Sequence, residues 1–230
     1  MSARLLNPRS SLLALLGDIR YTLSRIKADP LAERFLSAFE GLRDEWTTVQ
    51  AQEIENQEEL SDAQALVDLV DLQLTAFASR LSTTVHALVK EDRNHPLYLH
   101  FFGENSRSVL ARPRLGIEML EMRPWLVSME TSPDPSVQAM AAELGLLVVA
   151  AEKAVTALEA VRAKVRAFYD GGARRKLFDR CNEARQSTHE ALAKIALEKG
   201  GYPREYAGGF FRANAGEAMP PEPTFEGVRQ

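Results

Sequence analysis

Four histidines, one cysteine and a dispersed set of acidic residues hold most of the catalytic or metal-binding potential of this 230-residue chain. A carboxylate-bridged di-metal centre in a helical bundle needs Glu-x-x-His on paired helices, with two further inward glutamates. Three residues before His86, His95, His100 and His189 stand Thr83, Asp92, Leu97 and Gln186, so the motif is absent. Glu53, Glu58 and Asp71 lie off the apolar stripes, at positions that read as solvated. There is no Gly-x-Ser-x-Gly, no Gly-rich phosphate loop before a lysine and no dinucleotide fingerprint. Cys181 falls on the inward stripe of a helix and reads as a small buried hydrophobe rather than a nucleophile. No catalytic residue, metal or cofactor is expected.

Binding residues have stronger candidates. The stretch Arg93 to Gly103 gathers His95, Tyr98, His100, Phe101 and Phe102 in a connection between helical blocks, and Arg107, Arg112 and Arg114 follow. His95, Tyr98, His100, Arg107 and Arg112 are the candidate binding set for a small ligand or a partner, since loops carried by a rigid scaffold often hold such sites. The alternative is that Leu97, Leu99, Phe101 and Phe102 plug one end of a bundle while the two histidines cap backbone groups. Arg174, Arg175 and Lys176, just after Gly171-Gly172 at a helix start, form a candidate anion or partner patch; the alternative is a solvated or neutralised tip. Tyr202, Tyr206, Phe210 and Phe211 form a candidate docking segment, because exposed aromatic area costs roughly 25 cal/mol per Å². They fold back onto their own chain or insert into another.

The elements that must carry these residues are helices. No proline occurs between Pro30 and Pro96 or between Pro135 and Pro203, and each block opens with Asp-Pro, where aspartate caps and proline takes the first helical position. In the first block Phe35, Phe39, Leu42, Trp46 and Val49 make one stripe. A polar run from Glu53 to Glu59 and a capping box at Ser61 to Gln64 place a new helix start there. Its stripe runs Leu60, Ala63, Val67, Val70, Leu74, Phe77, Leu81, Thr84 and Leu88, with coiled-coil spacing. In the second block Val137 to Phe168 repeats the three-four alternation, Gly171-Gly172 ends that helix, and a following helix over about 174–199 turns Leu177, Cys181, Ala184, Thr188, Leu192 and Ile195 inward.

The expected fold is therefore all-α: an elongated antiparallel four-helix-type bundle of two long helical hairpins, with an extra N-terminal helix, a short interrupted crossover helix and an extended C-terminal tail. Its divisions are an N-terminal amphipathic helix over 1–28, a bundle over 29–203 and an aromatic and proline-rich tail over 204–230. Within the bundle a hairpin spans 29–92, a connection 93–133 and a second hairpin 134–200.

Composition bounds the function. The chain is 45% hydrophobic and 26% charged, with a net charge of −4, which argues against a dedicated nucleic-acid binder. Charge is uneven: Glu40 to Asp71 holds ten acidic residues against Arg43 alone, and Val161 to Arg185 holds eight basic against three acidic. One cysteine suits a reducing compartment, the leucine run at 12–16 is too short for an export signal, and no window supplies a transmembrane span. The chain reads as a cytoplasmic, non-catalytic helical interaction or scaffold module that engages a protein partner or copies of itself. A ligand-sensing bundle using the 93–114 connection is the alternative, and a helical enzyme without a recognisable motif is the third reading.

Overall fold

The computed structural model describes residues 5–102, 119 and 121–212, and among them every regular element is helical. Helix α1 spans Leu12–Lys27, α2 Leu36–Leu88, α3 Pro96–Phe102, α4 Trp125–Glu130, α5 Pro135–Asp170 and α6 Ala173–Lys199. Short 3-10 turns cover Glu33–Phe35 and Ala207–Phe210. The all-α bundle with an extra N-terminal helix is thus present. Arg107 and Arg112 lie outside the described residues, as does the chain beyond Arg212.

The helix starts follow from side-chain capping. The Ser11 hydroxyl accepts a hydrogen bond from the Ala14 amide at 3.1 Å at the head of α1. Asp134 accepts from the Ser136 amide at 2.8 Å, with Pro135 as the first residue of α5. Asp29 makes the same kind of bond to Leu31, 2.9 Å, but the chain then passes through the 3-10 turn before α2 begins.

Two expected chain reversals are corrected. The polar run from Glu53 to Glu59 is no break, since α2 is one helix of 53 residues. The Ser61 hydroxyl donates back to the Gln57 carbonyl at 2.9 Å, and Gln64 reaches forward to Asp68 at 2.8 Å, so neither caps a new start. The run is rich in glutamate and glutamine-type helix formers, with no glycine or proline to stop it, and it turns Asn56 inward while Glu55, Gln57 and Glu58 are exposed. At Gly171-Gly172 the helix is interrupted without turning back. The Tyr169 hydroxyl donates to Glu53 at 2.8 Å, Arg174 pairs with Glu53 at 3.3 Å, and Arg180 pairs with Glu45. Partner numbers on α2 fall as the chain advances, so α6 keeps the antiparallel direction along α2 in which α5 ends. A Cβ at Gly172 would lie 2.7 Å from the Phe168 Cα, which requires glycine at this close joint.

The chain forms two compact units, one made of residues up to 54 and from 167 onward, the other of 55–166. In the first, α1, the start of α2, α6 and the segment 206–211 enclose a core that includes Leu12, Leu15, Ile26, Phe39, Phe178 and Phe210. The Trp46 indole ties α2 to α1 by donating to the Leu12 carbonyl at 2.6 Å.

In the second unit, α2 and α5 meet along Val70, Leu74, Phe77 and Leu81 on one side and Val137, Leu144, Ala151 and Ala154 on the other. Toward the end of α2 the buried positions become Val85 and Val89, whereas Leu88 is exposed. Helices α3 and α4 close one flank: Trp125 stands edge-on to Phe101 and Phe102, with centroids 5.6 and 5.7 Å away.

The serine at the former break gives a direct check. Ser61→Ala is expected to leave stability unchanged or to raise it by up to about 0.5 kcal/mol in urea unfolding, through helix propensity. A loss of about 1 kcal/mol, the usual cost of a removed cap, would show that a helix begins at Ser61.

Candidate functional site

The flank of the 55–166 unit that carries the Arg80–Glu143 pair has a regular construction. Glu59, Leu66, Gln73 and Arg80 recur every seven residues on α2, and Glu143, Ala150, Ala157 and Lys164 do so on α5. The two rows run antiparallel, tied at one end by Lys164 and Glu59 at 2.7 Å and at the other by Arg80 and Glu143. Between these ion pairs the same register sets Leu66 opposite Ala157 and Gln73 opposite Ala150, short or uncharged side chains that leave the seam shallow. Arg80 and Glu143 also line a groove with Ser79, Thr83, Thr84 and Met140.

The neighbouring positions on α2 continue this face. Leu66, Leu69 and Leu72 are 45%, 51% and 67% exposed, and Ala65 and Ala76 beside them are exposed as well. One to three turns earlier, on the same side of the helix, stand exposed Glu55, Glu58 and Asp62. Three leucines within seven residues on the outside of a helix form an apolar patch with an anionic head.

The residues singled out from the sequence are placed elsewhere and mostly apart. Tyr98 is buried, its ring edge-on to His86 with centroids 4.7 Å apart. The exposed His95 accepts from the Leu97 amide at 3.2 Å through Nδ1, capping α3. His100 meets the Ser128 hydroxyl at 2.7 Å and so joins α3 to α4. A serine–histidine contact can activate a nucleophile only with an orienting group and oxyanion donors. The ring of His100 packs on Phe101 instead. His95 thus caps a backbone amide, whereas His100 meets a side-chain hydroxyl and Tyr98 a ring.

In the basic patch, Arg174 is a structural residue and not a surface cation. It is buried, donates to the Pro8 and Ser10 carbonyls at 2.6 and 2.5 Å, and lies over the rings of Tyr169 and Phe178. Its partner Glu53 is therefore inward, contrary to the solvated position expected for it. Arg175 is exposed and engaged with Asp179 at 3.1 Å, and Lys176 is exposed.

The aromatic segment lies on its own unit. Phe210 and Phe211 are buried, Tyr206 is half-buried and Tyr202 is exposed. The Tyr206 hydroxyl donates to Asp29 at 2.7 Å; burial, and then this bond, raises its pKa. Arg25 lies over Phe210 and Arg185 over Phe211, at 5.8 and 4.9 Å from the ring centroids.

Sequence patterns did not reveal the polar residues buried in this unit, Asp18 and Thr22 of α1 and Cys181, Arg185, Thr188 and His189 of α6, of which Arg185 and His189 lie against Phe211. Burial raises the Asp18 carboxyl above its ordinary range, against the pull of Arg185 and Arg212. Burial likewise lowers Arg185, while Asp18 opposes that shift. The Cys181 thiol is pushed up to about 12 by burial, which leaves it unreactive at neutral pH. The available signal was the position of Asp18, Thr22 and Arg185 on the inward stripes of their helices. The outward leucines 66, 69 and 72 were equally legible as apolar residues off the stripe.

The chain matches no protein-family model, no curated protein and no solved structure. Among the described residues no helix is long and apolar enough to cross a membrane, and no three His, Cys, Asp or Glu side chains are grouped to hold a metal ion.

Burial lowers the pKa of His189 below its ordinary 6.5. Below about pH 6.5 the unfolded chain then binds this proton more readily than the folded one, and stability is lost as pH falls. Urea unfolding at pH 7.5 and pH 5.5 should show a drop in wild type that is smaller in His189→Phe. Equal pH dependence in the two proteins would remove His189 as the source.

Proposed function

We propose that this chain is a non-catalytic helical interaction module, acting in a reducing, cytoplasmic setting through the leucine-bearing face of α2 and the adjoining seam with α5. The observation that carries this reading is the exposure of Leu66, Leu69 and Leu72 side by side. A helix that already buries one apolar stripe gains nothing from a second one in water, whereas a partner covering it recovers the burial energy. The coiled-coil-like spacing of the two long helices supports the same reading, because it offers straight ridges into which another helix can pack. The partner is another protein or a further copy of this chain; the acidic α2 face disfavours nucleic acid.

A photoreactive residue tests this directly. Benzoylphenylalanine placed at Leu69 or Leu72, in cells that make the protein, should give discrete adducts on irradiation. The same probe at the exposed Asp179 of α6 should not give them. Absence of adducts at both leucines, or the same adducts from Asp179, would reject the face as an interaction surface.

A further inference from the structure

Resting on that reading, we propose that the occupant of this face is a cationic amphipathic helix belonging to another protein. The seam between the two terminal ion pairs extends from Glu59 to Arg80, about 30 Å at 1.5 Å per residue, the length of a helix of some five to six turns. Alanines at 150 and 157 lie on this flank of α5, so a third helix can approach closely, while Leu66 and Leu69 present anchors to its apolar stripe.

Charge decides which helix. From Glu55 to Gln73, α2 carries Glu55, Glu58, Glu59, Asp62, Asp68 and Asp71 and no cation. The cations at the two ends of the seam are already held, Lys164 by Glu59 and Arg80 by Glu143, and Arg162 donates to Gln64 at 3.2 Å. Exposed Glu55, Glu58 and Asp62 therefore lie beside the leucine patch without a basic residue on the same face of α2. A second copy docking α2 against α2 in parallel would bring Glu55, Glu58 and Asp62 against their own copies, a like-charge juxtaposition that opposes association. A helix with leucine-type residues on one face and lysine or arginine beside them satisfies both the apolar patch and its anionic head. The field of α2 would also speed its encounter at low salt.

The test uses the full chain and two synthetic helical peptides of about 18 residues, sized to the seam. One is built from leucine and lysine and the other from leucine and glutamate in the same pattern. Fluorescence anisotropy should show the Leu/Lys peptide binding, more weakly at higher salt, and the Leu/Glu peptide not binding. Leu66→Gln/Leu69→Gln and Glu58→Gln/Asp62→Asn should each weaken binding by about tenfold or more, the loss expected on removing central anchors. Asp179→Asn/Glu183→Gln, which removes as many charges from α6, should leave it unchanged. Circular dichroism should show all variants equally helical, since every substituted side chain is exposed.

Equal binding to the leucine variant would mean nonspecific attraction of a cation and would overturn the proposal, as would binding of the Leu/Glu peptide. A dimer seen by light scattering and lost in the leucine variant would assign the face to a second copy instead. Failure of both peptides while adducts at Leu69 persist would refute the cationic helix but leave the interaction face standing. Failure of both, with no adducts, would remove the face itself.

Discussion

The structure depends on the register in which α5 lies against α2. Both helices carry apolar side chains at alternating three and four residue steps, and such stripes can slide by a heptad at little cost in burial. The pairs Glu59–Lys164 and Arg80–Glu143 distinguish the observed register from its neighbours, because a seven-residue slip would pair charged side chains with Leu66 or Ala157. Exposed ion pairs contribute roughly 0–1 kcal/mol each. Their effect is selection of one alignment, while stability comes from the burial of residues such as Leu74, Phe77, Leu81 and Leu144, all fully enclosed. Once the register is set, one flank is sealed by the aromatic cluster of α3 and α4, and the Arg80–Glu143 flank retains its leucines and alanines.

The unit containing α1 and α6 achieves specificity by buried polarity instead. Arg174 links the chain before α1, the α2 carboxylate Glu53 and two aromatic rings through one guanidinium. Asp18 and Arg185 are buried, and Arg185 lies against Phe211. Charges in such places are costly unless partnered, and Asp18 and Arg185 attract each other there. The C-terminal segment is part of the fold as well, since Phe210 and Phe211 are buried in this unit. Cys181 is inert in that core, its thiol pushed up to about 12 by burial.

Much of this was legible in the sequence for physical reasons. Long proline-free blocks with three-four periodicity can only bury their stripes as helices, and Ser11 and Asp134 announce their own caps. Chain reversals were not legible. The polar segment at 53–61 and the glycine pair at 171–172 both weaken a periodic pattern, yet a helix tolerates a solvated face and a two-glycine joint without turning. Only long-range partners, Tyr169 and Arg174 with Glu53 and Arg180 with Glu45, reveal the direction. Among candidate binding residues, side-chain type did not disclose the contacts made: His95 caps an amide, Tyr98 packs against a ring and Arg174 donates to buried carbonyls. The leucines at 66, 69 and 72 are ordinary residues whose meaning lies in what they face.

The register of α5 on α2 is the claim on which the proposed interaction face stands, and cross-linking between paired cysteines measures it most directly. With Gln73→Cys and Ala150→Cys in one chain, a short thiol-to-thiol cross-linker should join the two positions rapidly and leave the protein folded. Gln73→Cys with Ala157→Cys, one heptad or about 10 Å further along α5, should react slowly or not at all. Faster cross-linking of the second pair than the first would contradict the register, and with it the face assembled between Glu59 and Arg80.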